Sequence, residues 1–565
     1  TLETKAPEAP ILLSVEYDDM LTIRWNQNQD QDFSFYRIYR SRLNSINDKV
    51  PFKDIFSKTD TLFIIPTDSV YYYQIGVQDH WGLESYSNVL KGDHYITIWD
   101  QEYSLIDTRE LDLSSSKLVH LIGIGGAGMG AIAEVLSSMG HTVSGSDIKD
   151  SHRLDRLRAF GVKIFIGHDS GNVGKVDFVA RSTAISDSNI ECLEAVKNGI
   201  PLLSREKVLR GISKLKNSIA VSGTHGKTTT SSMLSLLLRE AGLKPSFIIG
   251  GEVNEIGTGA VWDEGELLVI EADESDASFL GLKRNLSIIT NLEEDHLEYF
   301  GGFEALYDAF VRFGNETDGM VLLGIDDENS LRLSNEIEAT TVGLNPVADW
   351  TIGITNSSWR GSEFFLTGEE SFHLSIPIPG VHNVKNASIA AVAGLLSGVE
   401  PEMIKNALVS FGGVARRFEH RGSQSGVVFV DDYAHLPSEV ESTIEAAMTG
   451  NWKRIFAVFQ PHRYSRTESI GATFSDSFKN ADCVVITDVF AGGESLRSGV
   501  SGRIVFDAIK EKFPDLRIHY LPDREDLIVF LSSELSAGDL CLTMGAGDIT
   551  SVPEEVKRSM RQFRV

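Results

Sequence analysis

Apolar and polar positions change rhythm partway along this chain. Over residues 1–105, short runs rich in aromatic and β-branched side chains (21–25, 35–40 and 71–77) recur between polar turns. None shows helical periodicity, and regularly spaced short strands predict a small all-β sandwich. A polar stretch, 107–117, follows. Beyond it, apolar runs of buried-strand length (118–122, 218–221, 267–270, 286–290, 427–430, 455–459, 483–487 and 540–543) alternate with stretches of helical spacing. That alternation predicts α/β units with doubly wound, mostly parallel sheets. Residues 320–378 read as β-rich with no evident chemistry.

The strand–helix junctions carry the candidate chemistry. The run 218–221 leads into Ser222-Gly223-Thr224-His225-Gly226-Lys227-Thr228-Thr229-Thr230, and a helical stretch follows. Glycines on a strand-to-helix turn let backbone amides approach phosphate oxygens. Lys227 would reach the terminal phosphates and Thr228 could ligate Mg²⁺. The full Walker pattern has glycine where this chain has Val221. Upstream, 118–122 runs into Gly123-Ile124-Gly125-Gly126-Ala127-Gly128-Met129-Gly130, with Asp147 closing the next strand. A Gly-x-Gly-x-x-Gly loop with an acid about 20 positions later favours NAD if taken alone. Physically it specifies less: a pyrophosphate on a helix N-terminus and a hydroxyl partner. Any diphosphate-bearing ligand meets that description, and close helix–strand packing alone would also use such glycines.

Two acidic groups follow the phosphate loop at strand ends, Glu271-Ala272-Asp273-Glu274-Ser275-Asp276 and Asn291-Leu292-Glu293-Glu294-Asp295-His296. Glu271 and His296 are candidate Mg²⁺ ligands beside Thr228. Asn383 and Asn386 open a small-residue helix and could meet a purine edge. In the last third, Asp431-Asp432-Tyr433-Ala434-His435 and Gln460-Pro461-His462-Arg463-Tyr464-Ser465-Arg466-Thr467 sit at strand ends. Two arginines and a histidine so close together suit a carboxylate. The pair Arg416-Arg417 could reach a transferring phosphoryl group.

Composition narrows this reading. The chain has 565 residues, which suggests roughly three to five domains. With 52 Lys and Arg against 80 Asp and Glu, its net charge of −28 argues against a general binder of nucleic acid or anionic membranes. Basic residues beside glycine loops therefore carry more weight. Cys192, Cys483 and Cys541 are too widely spaced for a disulfide framework or zinc site. No secretory signal or bilayer-length apolar run is seen, so a cytoplasmic protein without membrane insertion is expected.

Taken together, residues 118 to about 560 resemble the Mur ligases. The resemblance rests on the loops at 123–130 and 223–230, on Glu271-Ala272-Asp273-Glu274-Ser275-Asp276, and on Phe459-Gln460-Pro461-His462-Arg463-Tyr464-Ser465-Arg466-Thr467. The Val221 loop is that family's variant. Residues 1–105 resemble a fibronectin type III domain, whose edges could recruit a protein partner or which could be a passive appendage. The implied fold is three α/β domains behind that sandwich: a Rossmann-like UDP-sugar domain (116–213), a central P-loop ATPase domain (214–410) and a Rossmann-like C-terminal domain (411–565).

The resemblance implies an ATP-dependent ligase joining L-alanine to the lactyl carboxylate of UDP-N-acetylmuramate through an acyl phosphate. ATP and Mg²⁺ are the implied cofactors; nucleic acid is not an expected partner. By motif, Gly123, Gly125, Gly126, Ala127, Gly128, Met129 and Asp147 would bind the UDP-sugar. ATP would meet Gly223, Thr224, His225, Gly226, Lys227, Thr228, Thr229, Asn383, Asn386, Arg417 and Asp432. Thr228, Glu271 and His296 would hold the metal; His462, Arg463 and Arg466 would hold the amino acid. Lys227, Glu271, His296, Arg417, Asp432 and His435 would form the catalytic set, with the role of His435 open. Two positions depart from the family: Leu436 stands where a second histidine is usual, and 303–316 holds no lysine where several relatives carry a carbamylated one. An NAD-dependent oxidoreductase would leave the phosphate loop and acidic groups unexplained. A tripeptide-adding ligase would be expected to lack the 460–467 motif.

Overall fold

The computed structural model of the chain describes residues 7, 9–10, 12–18, 20–25, 28, 33–41, 50–55, 57–58, 62–65, 72–79, 84–87, 90–91, 111–186, 189–275, 277–295, 297–300, 302–492 and 494–562. Its N-terminal region is antiparallel β-structure. Leu12–Asp18, Met20–Trp25 and Leu62–Ile65 form one sheet; Val50–Ile55, Phe33–Ser41, Tyr72–Asp79 and Glu84–Tyr86 form a second, joined by Leu90–Lys91. Alternate residues from both sheets, including Ile23, Trp25, Tyr36, Ile38, Tyr73, Ile75 and Val77, share one core. Trp25 and Tyr36 meet edge to face, 5.4 Å between centroids.

Three α/β units follow. The first has a parallel sheet in the order Lys163–Ile166, Thr142–Asp147, Leu118–Ile122, Phe178–Arg181, Leu202–Ser204. Its glycine loop leaves Leu118–Ile122 where the strand order reverses, and that crevice is where such sheets bind ligands.

The central unit is built on a ten-stranded sheet. Asn217–Ser222 lies between Leu267–Glu271 and Leu286–Ile289, all parallel. Val221 is in register with Glu271, and Ser222 with Ile289. Parallel register therefore delivers the phosphate loop, Glu271 and the start of the second acidic group to one edge. The loop's helix, Lys227–Glu240, is buried from Thr228 to Leu238, with Val381–Leu396 packed on it. Its Thr and Ser side chains permit close approach, and Ser232 returns its hydroxyl proton to Thr228 O (2.6 Å). The β-rich segment forms the antiparallel far end, Trp350–Ser358, Gly361–Thr367 and Ser371–Ile376.

The C-terminal unit orders Glu419–Gln424, Val427–Asp432, Leu540–Met544, Ile455–Phe459, Cys483–Ile486 and Ile518–Tyr520, parallel except for the first. It docks on the central unit, and Trp359 meets Trp452 with ring centroids 5.1 Å apart. Among the described residues, no helix is long and apolar enough to cross a membrane.

Candidate active site

The phosphate loop is held by the neighbouring strand end. Gly223 and Gly226 have φ of 124° and 80°, in the left-handed region open to glycine. A Cβ at Gly223 would run into Thr290, and one at Gly226 into the Asn386 amide. The His225 amide donates to Asn291 Oδ1 (2.8 Å), and Asn291 Nδ2 donates back to His225 O (2.9 Å). Thr290 Oγ1 also donates to His225 O (2.5 Å). Lys227 Nζ donates to Gly223 O (2.7 Å), Thr224 O (3.1 Å) and Glu274 Oε1 (2.9 Å). Burial lifts the Glu274 carboxyl to about 7 even against the Lys227 charge. Burial opposes the ammonium of Lys227, but Glu274, Asp273 and Glu271 outweigh it and raise its pKa.

Thr228 Oγ1 donates to Glu271 Oε1 (2.9 Å), and the Gly250 amide donates to Glu271 Oε2 (2.6 Å). A hydroxyl and a carboxylate beside a phosphate loop are hard oxygen donors of the kind Mg²⁺ takes together with water and substrate phosphates. Among the described residues no group of three His, Cys, Asp or Glu could cage a metal alone. His296 lies outside the described residues.

A cavity of about 230 Å³ opens beside the loop, between the central and C-terminal units. His225, Gly226 and Thr229 line one wall, His382, Asn383 and Asn386 a second, Arg417 and Asp432 a third. Asn383 Nδ2 is anchored on Pro379 O (2.7 Å). Burial, with the Arg417 charge, holds His382 down to about 4. Burial lifts Asp432 to about 6, while Arg417 and the amides of Phe418 (2.6 Å) and Ala434 (2.8 Å) favour its ionised form. The adjacent arginines have different tasks. Arg416, at φ 62°, donates to the carbonyls of Gly545 (2.6 Å), Gly547 (3.1 Å) and Ala546 (3.3 Å), stitching its own unit together. Arg417 faces the cavity.

His225 joins the two units. Its Nε2 lies 3.3 Å from Glu293 and its Nδ1 3.2 Å from Glu439, which begins the helix Pro437–Met448. Ser438 Oγ donates to Glu293 Oε2 (3.0 Å). Burial alone would depress the imidazole; the two carboxylates raise it to about 10. A raised folded pKa stabilises fully below the unfolded value, about 6.5, and that contribution is lost as pH climbs through about 10. Thermal melts of wild type and His225→Asn are expected to differ most near pH 6 and to converge toward pH 10.

The 460–467 segment faces the central unit. Arg466 Nη2 lies 3.5 Å from Asp295 Oδ1, and Arg466 Nη1 donates to His462 Nδ1 (3.3 Å). The His462 ring stacks on Phe490 at 5.9 Å and stands 5.8 Å from His435. Arg463, at φ 65°, is exposed.

In the first unit, Gly125 N donates to Asp147 Oδ2 (2.8 Å), so that carboxylate braces the loop. Gly126 and Ala127 are exposed, Gly123 and Gly128 half-buried, and Met129 points into the core. Two basic side chains that sequence reasoning missed flank the loop. A Cβ at Gly128 would stand 2.9 Å from Arg205 Nη1, and Arg153 Nη1 donates to Gly125 O (3.2 Å). Thr290, Asn291, Glu293 and Glu439 were also missed as loop partners. A polar pair at a strand end was the available signal for Thr290 and Asn291; nothing local pointed to Glu439.

Sequence profiles match in chain order: Mur ligase family, catalytic domain, over residues 118–217; Mur ligase middle domain over 221–394; and Mur ligase, glutamate ligase domain, over 416–547. The UDP-N-acetylmuramate–L-alanine ligase of Desulforamulus reducens is 41% identical over 455 residues, covering 79% of this chain and 98% of that protein. The same-named enzyme of Pelotomaculum thermopropionicum is 40% identical over 458 residues, covering 80% and 99%. Among solved structures, the UDP-N-acetylmuramate-alanine ligase of Thermotoga maritima superposes with a TM-score of 0.69 at 28% identity, over 79% of this chain and 100% of that one. A murein peptide ligase from Psychrobacter arcticus shares the fold, with a TM-score of 0.60 at 22% identity, over 79% and 99%.

Proposed function

Because this chain belongs to the Mur ligase family, we propose that it joins L-alanine to the lactyl carboxylate of UDP-N-acetylmuramate, driven by ATP, in building a peptidoglycan precursor. The observation that carries this reading is identity at 41% over 98% of that ligase's length, with the second acidic group, at Asp295, facing Arg466 of the 460–467 segment across the unit boundary. Residues 116–213 would bind the UDP-sugar, with its diphosphate on the glycine loop between Arg205 and Arg153. Residues 214–410 would bind ATP, and 411–565 would deliver the amino acid. Residues 1–105 lie outside the matched profiles, and a protein partner there is a separate proposal. A site fed by UDP-sugar and ATP belongs in the cytoplasm.

A carboxylate is a poor electrophile at neutral pH; phosphorylation turns one of its oxygens into a leaving group. Catalysis of such a transfer is mostly positioning and charge neutralisation. The loop amides and Lys227 would hold the β- and γ-phosphates, Asn383 and Asn386 would face the purine, and Arg417 would meet charge developing on the transferred group. Asp432 would keep Arg417 oriented. Mg²⁺, held by Thr228 and Glu271 with His296 as a further ligand, would supply neutralisation of the phosphate oxygens. Arg463 and Arg466 would take the carboxylate of the amino acid, with Asp295 giving up Arg466 as it arrives.

The test is phosphate release with ATP, Mg²⁺ and UDP-N-acetylmuramate, offering L-alanine, glycine, L-serine or the tripeptide L-Ala-γ-D-Glu-diaminopimelate in turn. Release strongest with L-alanine is expected. Release with the tripeptide alone would reassign the acceptor, and silence with every acceptor would refute ligase activity.

A further inference from the structure

The ligase reading leaves one proton without a destination. The amino acid arrives with its nitrogen as an ammonium, and the nitrogen that attacks an acyl phosphate must shed its surplus protons. The titratable and charged groups gathered at the amino-acid segment are its own His462, Arg463 and Arg466, with His435, Glu439, Tyr433, Asp295 and Glu494 around them.

Hydrogen bonds distinguish the two histidines. His435 Nδ1 lies 3.0 Å from Tyr433 O and 3.3 Å from Glu439 Oε2. The carbonyl can only accept and the ionised carboxylate likewise, so Nδ1 carries the proton and Nε2 keeps its lone pair. Among the described residues His435 Nε2 has no hydrogen-bond partner. His462 is the reverse. Arginine only donates, so His462 Nδ1 is engaged as the acceptor of Arg466 Nη1 and the proton sits on Nε2. His462 positions an arginine; His435 presents an open lone pair 5.8 Å, ring to ring, from it.

Glu439 is tied on both sides. Oε1 lies 3.2 Å from His225 Nδ1, while Oε2 accepts the amides of His435 (2.9 Å) and Leu436 (3.2 Å). Burial would raise its pKa, but His435, His225 and Arg417 hold it well below the usual carboxylate range. The Tyr433 carbonyl fixes the tautomer, while Glu439 acts on the ring through its charge from 3.3 Å and favours the imidazolium when it forms, as the carboxylate of a catalytic triad does.

We propose, resting on the ligase reading, that His435 Nε2 accepts the proton of the attacking amine and that Glu439 positions and supports it. The ammonium gives one proton to His435 Nε2, which frees the nitrogen lone pair, and that pair forms the N–C bond as the carbonyl π pair moves onto oxygen. The oxygen pair then re-forms the carbonyl, the C–O bond to phosphorus breaks, and phosphate leaves with that pair, taking the second nitrogen proton, while His435 passes the first to solvent. Burial and Arg466 lower the His435 pKa while Glu439 and Asp295 raise it, leaving it at about 4 and the ring neutral at neutral pH. Pairing of Arg466 with the incoming carboxylate cancels one of the lowering charges, so the ring becomes a stronger base once the substrate is bound.

Hydroxylamine separates this step from the rest, because it is unprotonated at neutral pH and traps the acyl phosphate as a hydroxamate without a base. In the full chain, His435→Gln is expected to reduce ligation of L-alanine by about 10²–10⁴-fold while hydroxamate formation stays at the wild-type rate. Glu439→Gln retains an acceptor for the helix cap. It should shift the acid limb of the L-alanine pH–rate profile to lower pH, because the charge that raises the His435 pKa is gone; a purely structural residue would not move that limb. Parallel loss of both products in His435→Gln, or loss of neither, overturns the proposal, as does an unmoved acid limb in Glu439→Gln. Wild-type protein that yields neither product refutes the ligase reading instead.

Discussion

Lys227→Ala is expected to lower ATP-dependent phosphate release by roughly 10³-fold or more, with little change in melting temperature. The side chain is within reach of the loop where the β- and γ-phosphates are proposed to sit, and it is the ammonium on that loop. Its present partners are two carbonyls of its own turn and Glu274. Removing a buried charge usually leaves its partner stranded, at a cost of several kcal/mol. Here Glu274 already stands at about 7. Without Lys227 its pKa rises further and the carboxyl is protonated at neutral pH, so Glu274 is not left as a stranded charge, and Asp273 keeps its partner Arg205, 3.9 Å away. Phosphate release and thermal melts on the same preparation check both halves. Activity within tenfold of wild type would mean that the loop does not hold the transferring phosphoryl group.

Gly223→Ala is expected to damage stability and activity together. Its φ of 124° is strained for any L side chain, and the added methyl would meet Thr290 Oγ1, Thr290 N (2.9 Å) and Asn291 O (2.9 Å). The obstacle is mostly backbone of the adjacent strand end and cannot swing aside. Overpacking typically costs about 1–3 kcal/mol, and a left-handed non-glycine residue adds about 1–2 kcal/mol. Relief would come by displacing the turn that aims the loop amides. A denaturation midpoint well below wild type, with phosphate release lost, is the expected pair of results; wild-type values for both would show that the loop can move without consequence. Gly140, with φ of 91° but open space around it, is the control: there an alanine meets only the backbone strain.

The α/β architecture was legible because its signals are local. Buried strands read as apolar runs, and glycines mark the turns after 118–122 and 217–222. The β-rich far end of the central sheet lies within 320–378, which also read as β-rich. What the sequence could not disclose is set by docking. Glu439 meets His225 across 214 residues of chain, and no spacing rule connects them. Arg205 and Arg153 were one pair among many basic side chains until folding laid them on the glycine loop. Arg416 and Arg417 are neighbours whose directions diverge because Arg416 takes a left-handed backbone, which a charge pattern does not encode. Met129 falls inside the fingerprint by position, yet helical geometry turns it inward.

The His225 bridge also makes motion between the units a proton-exchange event. Seated between Glu293 and Glu439, the imidazole keeps its proton far into the alkaline range. Swinging the C-terminal unit away withdraws Glu439 and returns the ring toward ordinary basicity, so at mildly alkaline pH each opening releases a fraction of a proton and each closing recovers it. Alkalinity would then act as a ligand for any form in which the two units have parted.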